Sequence, residues 1–453
     1  MDYKSFIERK SQFADGNGFD PGELPGFLFD FQAYLVDWNL RQGRSATFAE
    51  CGLGKTPMQL VWAQKVVEHT NKPVLIVTPL AVTFQTEQEA AKFGIEAKRS
   101  RHGKIDSSSD IWITNYEQLH KFDPNSFSGM VADESSAIKN FKSERKAVVT
   151  EFMRSLPYRH LCTATAAPND YWELGTSSEA LGLLGFRDMI TTFFRQEASK
   201  DYLGWGRTKY RFRGHAEEPF WSWVCSWARS IRRPSDLGYD DSKFILPPLN
   251  QTEHVVETAK KRDGMLLTMA ARNLHEQRAE RRLSIPERVA KAADIMISHD
   301  GPSVMWCELN DEADAMVREV PGAKQIKGGM KDEVKEELLI AFTNGELKDL
   351  VTKPKVGCWG LNWQHCNNVL TFPGHSFEQD YQLVRRCWRF GQTKPVNVHR
   401  IISEGESSVL KNLERKAKQV DNMFNMLVEH MNDAQALSSR DYFPESEQVP
   451  SWL

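Results

Sequence analysis

The stretch Ala46-Thr-Phe-Ala-Glu-Cys-Gly-Leu-Gly-Lys-Thr56 constrains this chain more than any other. An apolar run ends in a turn that holds Gly52 and Gly54. Lys55-Thr56 then opens a segment in which Met58, Val61, Trp62 and Val66 recur at helical spacing. The pattern predicts strand, loop, helix. Gly52 and Gly54 let the backbone close around an anion, so that amide N–H groups and the positive end of the helix face it. In such a loop Lys55 would neutralise phosphate oxygens and the Thr56 hydroxyl would hold Mg2+. Ala49 stands where the first glycine of the phosphate-loop pattern is usual, one small residue for another.

The totals bound what surrounds this loop. A chain of 453 residues, 40% apolar and 26% charged, can bury two or three cores and is not a disordered tail. The formal net charge of −3 means that a nucleic-acid partner must be held by local basic patches. No apolar run is long enough to span a bilayer and the first residues do not read as a signal peptide, so a cytoplasmic protein without a membrane partner is expected. The seven cysteines are scattered and never spaced as C-x-x-C, which reads as reduced core residues.

Residues 1–25 are polar and glycine-rich and read as a loosely held lead-in. The aromatic segment Phe27 to Trp38 is a helix candidate that carries Gln32, whose amide can both donate to and accept from an adenine edge. Beyond the loop, Pro73-Val-Leu-Ile-Val-Thr-Pro79 and Asp110-Ile-Trp-Ile-Thr-Asn-Tyr116 are continuous apolar runs of the kind buried on both faces of a parallel sheet. Their ends, Thr78, Asn115 and Tyr116, fall at the carboxyl edge where open α/β sheets bind ligands. Either capping or contact with a phosphate backbone would account for them.

A further hydrophobic run ends in Asp133-Glu134, two carboxylates with separable tasks. Asp133 can enter the Mg2+ shell, and Glu134 can orient and deprotonate a water. The run His160-Leu-Cys-Thr-Ala-Thr165 ends in hydroxyls at Thr163 and Thr165, suited to coupling the acids to the rest of the protein. In order, Gly52-Leu-Gly-Lys-Thr56 with Gln59, Asp133-Glu134, Ala137-Ile-Lys-Asn140, and Thr163-Ala-Thr165 with Asn169 and Glu173-Leu174 resemble the motifs of superfamily-two helicase-like ATPases of the Swi/Snf-like branch. The resemblance places Gln32 at that family's adenine-reading position and covers about residues 27 to 405. It implies an α/β fold of two tandem RecA-like domains, parallel sheets flanked by helices, with short helical or aromatic insertions.

The resemblance also implies the organisation. A first RecA-like domain would take residues 26–250 with an aromatic and basic insertion at about 176–245, a basic helical linker 251–285, and a second domain with a C-terminal tail 286–453. In the insertion, Arg207, Lys209, Arg211 and Arg213 alternate with Thr208, Tyr210 and Phe212. Period two puts the cations on one face of a strand or hairpin, either a solvated edge or a phosphate-tracking patch. Phe220, Trp221, Trp223 and Trp227 follow at helical spacing and read as packing. The linker carries Lys260, Lys261, Arg262, Arg272, Arg278, Arg281 and Arg282.

In the second half, strand-like runs recur at 303–308, 349–352, 368–371 and 396–401. If Ser376 to Arg389 is helical, Gln382, Arg386 and Arg389 share one face. Gln382 to Gln392 matches the superfamily's last motif, which implies arginine fingers at Arg386 and Arg389, groups worth about 10³ to 10⁵ in turnover. Upstream, Thr352, Lys353 and Asn362 lie in a segment that resembles the motif contacting the tracked strand. Ser135-Ser136 replaces the family's Ala-His, and a proline expected directly after Thr165 comes at Pro168; both leave the coupling of hydrolysis to movement open. The compactness resembles phage- or prophage-encoded members.

The expectation is a monomeric ATP- and Mg2+-dependent motor that translocates on double-stranded DNA. A strand-separating DNA or RNA helicase is the alternative within the class, and a non-catalytic nucleic-acid-binding scaffold the alternative outside it. A nuclease or methylase partner is not identifiable.

Overall fold

The computed structural model describes residues 17–100, 102–167, 170–200, 206–258, 274–357 and 361–438. The lead-in to residue 16, Pro168, Asn169, Lys260, Lys261, Arg262, Arg272, Cys358, Trp359 and Gly360 lie outside them, as do the side chains of Arg207, Lys209 and Arg278. The first half supplies β1 (Arg44–Ala49), β2 (Val74–Thr78), β3 (Lys98–Arg99), β4 (Ile111–Asn115), β5 (Gly129–Asp133), β6 (Tyr158–Thr163), the pair β7 (Phe194–Lys200) and β8 (Gly206–Phe212), and β9 (Ala228–Ile231). The second half supplies β10 (Leu249–Val256), β11 (Ser303–Trp306), β12 (Lys324–Gln325), β13 (Asp349–Thr352), β14 (Asn368–Thr371) and β15 (Val396–Ser403).

Two parallel sheets result, in the orders β3-β4-β2-β5-β6-β1-β9 and β10-β15-β14-β11-β13-β12. β2, β4 and β5 are buried at every position, as proline-bounded and β-branched apolar runs require when helices cover both faces. Because the strands are parallel, β1, β6 and β5 release Ala49, Thr163 and Asp133 at one carboxyl edge, with Asp133 opposite Cys162 and Phe48 opposite Thr163. That edge gathers the residues singled out from the sequence.

Three expected boundaries shift. Residues 251–256, read as the start of a helical linker, are strand: Leu249 to Val256 pair in register with Val396 to Ser403. The segment is polar and mostly exposed, so its conformation comes from backbone pairing at a sheet edge. Within the expected insertion, Ala228 to Ile231 return to the first sheet beside β1, the helix Glu217–Trp227 having carried the chain back across its face. The helix expected over Ser376 to Arg389 stops at Val384. The next residues turn tightly, with Cys387 and Trp388 N both donating to Val384 O, and this drives Arg386 into the interior.

The segment of the cationic row pairs as a hairpin, in which Arg211 is the row's cation whose strand side chain is described. β7 and β8 are antiparallel, and Phe194 and Phe212 turn inward onto Phe220 while Arg211 faces solvent against Glu197 at 2.9 Å. Arg213, beyond the strand end, donates to Phe194 O at 2.8 Å and closes the hairpin. Phe220, Trp221, Trp223 and Trp227 are core residues.

The helix Ser407–Ser438 leaves the second sheet and crosses to the first. Its start packs Val409, Leu410 and Leu413 beneath Ile402. Its middle puts Val420, Met423, Phe424, Leu427 and Met431 into the cluster that holds Trp221, Val224 and Trp227. At the root, a buried charge cluster ties Arg281 to Glu406 at 2.8 Å and Arg288 to Glu312 at 2.8 Å. Among the described residues no helix is long and apolar enough to cross a membrane.

Phe424 is 2% exposed, so Phe424→Ala should lower stability by about 3–5 kcal/mol through lost burial and a residual cavity. Asp421→Ala, which only breaks an exposed pair with Arg232, should cost under about 1 kcal/mol; guanidinium denaturation of both variants checks the contrast.

Candidate ATP site between the two sheets

The loop from Glu50 to Gly54 has the backbone that a phosphate cradle needs. Gly52 and Gly54 have φ of +92° and +75°, and the helix Lys55–Thr70 starts at once after them. A Cβ on Gly54 would stand 2.3 Å from Gln32 Nε2, so no side chain can replace that hydrogen without moving Gln32. Gln32 itself braces the loop: Nε2 donates to Leu53 O at 2.9 Å and Oε1 accepts from Phe29 N at 3.1 Å. Lys55 Nζ donates to Ala49 O at 3.0 Å, folded across the loop mouth.

Asp133 and Glu134 are both buried. Gln59 Nε2 donates to Asp133 Oδ1 at 2.7 Å, and Tyr116 OH donates to the Asp133 carbonyl at 2.6 Å. Glu134 has a left-handed backbone, φ +49°, a conformation unfavourable for a residue with a Cβ. It turns the side chain toward Thr163, whose Oγ1 donates to Glu134 Oε2 at 3.3 Å. Burial pushes both carboxyls above the ordinary carboxylate range; Gln59 and Lys55 oppose the shift at Asp133, and Lys55 opposes it at Glu134.

The second sheet delivers the other half. Gln382 Nε2 donates to Glu134 Oε2 at 3.5 Å, while Gln382 Oε1 accepts from Arg386 Nη2 at 2.6 Å. Arg386 and Arg389 both donate to Leu361 O, at 3.0 and 3.3 Å, and Arg389 Nε is buried without a partner. Burial and the adjacent Arg386 bring the Arg389 guanidinium down to about 10. Gln392 instead ties Cys366 O and Cys387 O together, at 3.1 and 3.2 Å, and is part of the scaffold under the turn. Thr165 Oγ1 donates to Glu378 Oε1 at 3.4 Å, and Lys139 pairs with the same carboxylate.

Three contacts escaped the sequence reading: Glu378 across to Thr165 and Lys139, Arg385 against Glu50 at 3.1 Å, and an aromatic trio at the loop. Phe244 lies 5.0 Å from both Phe29 and Phe390. No local pattern marks any of them, since each joins segments remote in sequence.

The remaining candidates spread along a cleft of about 1270 Å³ between the lobes. Asn115, Tyr116, Asn362 and Glu134 line it. Thr78 and Thr352 are fully buried, and Thr78 donates to Pro79 O. Lys353 directly follows β13 and is not among the cleft residues. The cleft carries both signs of charge, Lys139, Arg145 and Lys335 with Glu89, Glu117 and Glu336. Arg99 bridges to Glu336 at 3.1 Å across it.

A hydroxyl at Thr56 and a carboxylate at Asp133 with one oxygen spoken for by Gln59 form a hard-oxygen donor set that suits Mg2+. Among the described residues no group of three or more His, Cys, Asp or Glu could hold a metal unaided.

No protein-family model matches the chain. Over 212 residues it is 31% identical to Helicase swr1 of Emericella nidulans, an alignment spanning 39% of this chain and 12% of that protein. Over 179 residues it is 28% identical to Helicase swr-1 of Neurospora crassa, spanning 34% of this chain and 10% of that one. The chain thus spans about an eighth or less of the curated relatives it matches. A solved Sulfolobus solfataricus SWI2/SNF2 ATPase core in complex with dsDNA aligns over 91% of this chain and 96% of its own, at 18% identity and a TM-score of 0.42.

The raised carboxyls make a pH prediction. The folded state holds these protons more tightly than the unfolded one, so stability falls as pH rises through the window between their ordinary and raised values. Glu134→Gln should therefore raise the thermal midpoint relative to the parent protein near pH 8 and lose that advantage near pH 4, as calorimetry at both values would show.

Proposed function

We propose that this protein is a Swi/Snf-like motor that hydrolyses ATP between its two lobes and uses the cycle to translocate along double-stranded DNA. One observation carries the reading: Gln382, on the helix Phe377–Val384 of the second lobe, contacts both Glu134 of the first lobe and Arg386 of its own segment. A phosphate loop, an acid pair and two arginines thereby meet around one space. The similarity to the two helicases supports the same class.

In this mechanism the amides of Gly52 to Lys55 and the Lys55 ammonium receive the β- and γ-phosphates, while Gln32, expected to read the base, spends its amide on Leu53 O and Phe29 N and braces the loop instead. Thr56 and Asp133 would hold Mg2+, which would supply charge neutralisation at the phosphates. Glu134 takes the proton of the attacking water, and its raised affinity for protons suits a general base. Arg386 and Arg389 leave Leu361 O for the γ-phosphate, where a guanidinium stabilises the charge that develops. Thr163 and Thr165 report the state of Glu134 to Glu378 and so to the second lobe.

The cleft lined by Asn115, Tyr116 and Asn362 is where one DNA strand would lie. Its mixed charge means that grip comes from phosphate contacts made once Arg99 and Glu336 part. Lobe closure then moves the strand. The expected phage or prophage origin rests on compactness and the expected cytoplasmic location on the lack of a long apolar run and of a signal-like start; both stand outside the proposal.

ATP turnover measured with and without duplex DNA tests the reading. Duplex should stimulate turnover, and Lys55→Ala should reduce it at least about 10³-fold. Turnover unaffected by Lys55→Ala defeats the assignment. Triplex displacement without fork unwinding is the expected motor behaviour, and robust unwinding would replace translocation with strand separation.

A further inference from the structure

Arg386 and Arg389 place their hydrogen bonds inside their own lobe, whereas Arg385 reaches across to the phosphate loop. Its Nη2 lies 3.1 Å from Glu50 Oε2, and the two side chains are only 11% and 14% exposed. Each partner is oriented before they meet. The guanidinium stacks over Trp388 at 4.3 Å and Tyr381 at 5.4 Å, contacts that fix its plane without using its donors. Glu50 accepts Cys51 N at 2.9 Å through Oε1, which aims Oε2 outward. Two preorganised groups lose little further rotamer freedom on pairing.

A second contact lies beside the first. A Cβ on Gly52 would stand 2.9 Å from Phe390 N and 3.5 Å from Arg389 Cβ, so the arginine segment rests directly on the loop. Glu50 is otherwise adverse there. A carboxylate within a loop that receives polyphosphate repels its ligand, and the repulsion is strong where water is partly excluded.

We infer that Arg385 and Glu50 form an interlobe latch that seats the arginine segment on the phosphate loop and cancels the Glu50 charge only when the lobes close. Arg385 is thereby a positioning residue for hydrolysis, and the inference rests on the ATPase reading above. Phosphate affinity and the arrival of Arg386 and Arg389 become one event, because the same contact supplies both.

The test is a double-mutant cycle on DNA-stimulated ATP turnover with Arg385→Gln, Glu50→Gln and the pair. Arg385→Gln leaves Glu50 uncompensated, so it should lower kcat and raise KM, for about a tenfold loss of kcat/KM. Glu50→Gln should lower kcat without raising KM, a split that general loss of structure would not give. The double variant should be no worse than Arg385→Gln alone, and multiplicative losses would overturn the latch. Thermal midpoints of the same four proteins without nucleotide form a second cycle that does not depend on hydrolysis. Non-additive midpoints with multiplicative kcat/KM losses would leave a structural pair and defeat the positioning role. If the parent protein shows no DNA-stimulated turnover, the ATPase reading falls and takes the positioning role with it, while additive midpoints would separately deny the pairing.

Discussion

The side-chain amide of Gln382 is the point at which the acid of one lobe and the arginine of the other register on one group. An amide can donate and accept at once, and here it donates to the buried Glu134 while accepting from the buried Arg386. An acid and a base in direct contact would neutralise one another. Separated by an amide, the carboxylate stays available to a water and the guanidinium to a phosphate. Cys51 Sγ lies 3.9 Å from the same Gln382 oxygen, so the loop, the acid pair and the arginine segment all register on one group.

Such a site is costly, and the rest of the fold bears the cost. Two carboxyls are held out of water, one on a left-handed backbone, and Arg389 Nε is buried unpartnered. Each is a loss that a loosely packed protein would relieve by local unfolding. The fully buried strands β2 and β5, the latter carrying Asp133 at its end, and the Trp221 and Trp227 cluster behind β1 leave no such escape.

The chemistry was legible in the sequence where it lies in one continuous segment. Gly52 to Thr56 and Asp133-Glu134 declare themselves because strand, turn and functional group are adjacent, and strand ends in a parallel sheet meet at one edge. What was illegible depends on pairing between distant segments. The polar run Leu249 to Val256 has no strand pattern of its own and takes its conformation from β15. The helix expected through Arg389 obeys its spacing only to Val384, because burying Arg386 beneath Leu361 O outweighs continuing the turn. Arg385 stood inside a recognised motif and drew no notice, since its partner Glu50 comes from the opposite end of the site.

The helix Ser407–Ser438 has a mechanical consequence. The lobes are joined once by the chain between Ile231 and Leu249 and again by this helix, fixed under Ile402 at one end and against Trp221 and Trp227 further along. The lobes also meet through Gln382, Glu378, Arg385 and Glu336, so this helix is one of several restraints on their relative movement. Any relative movement of the lobes must therefore spare the seat of this helix under Ile402 and its seat against Trp221 and Trp227, or break one of them.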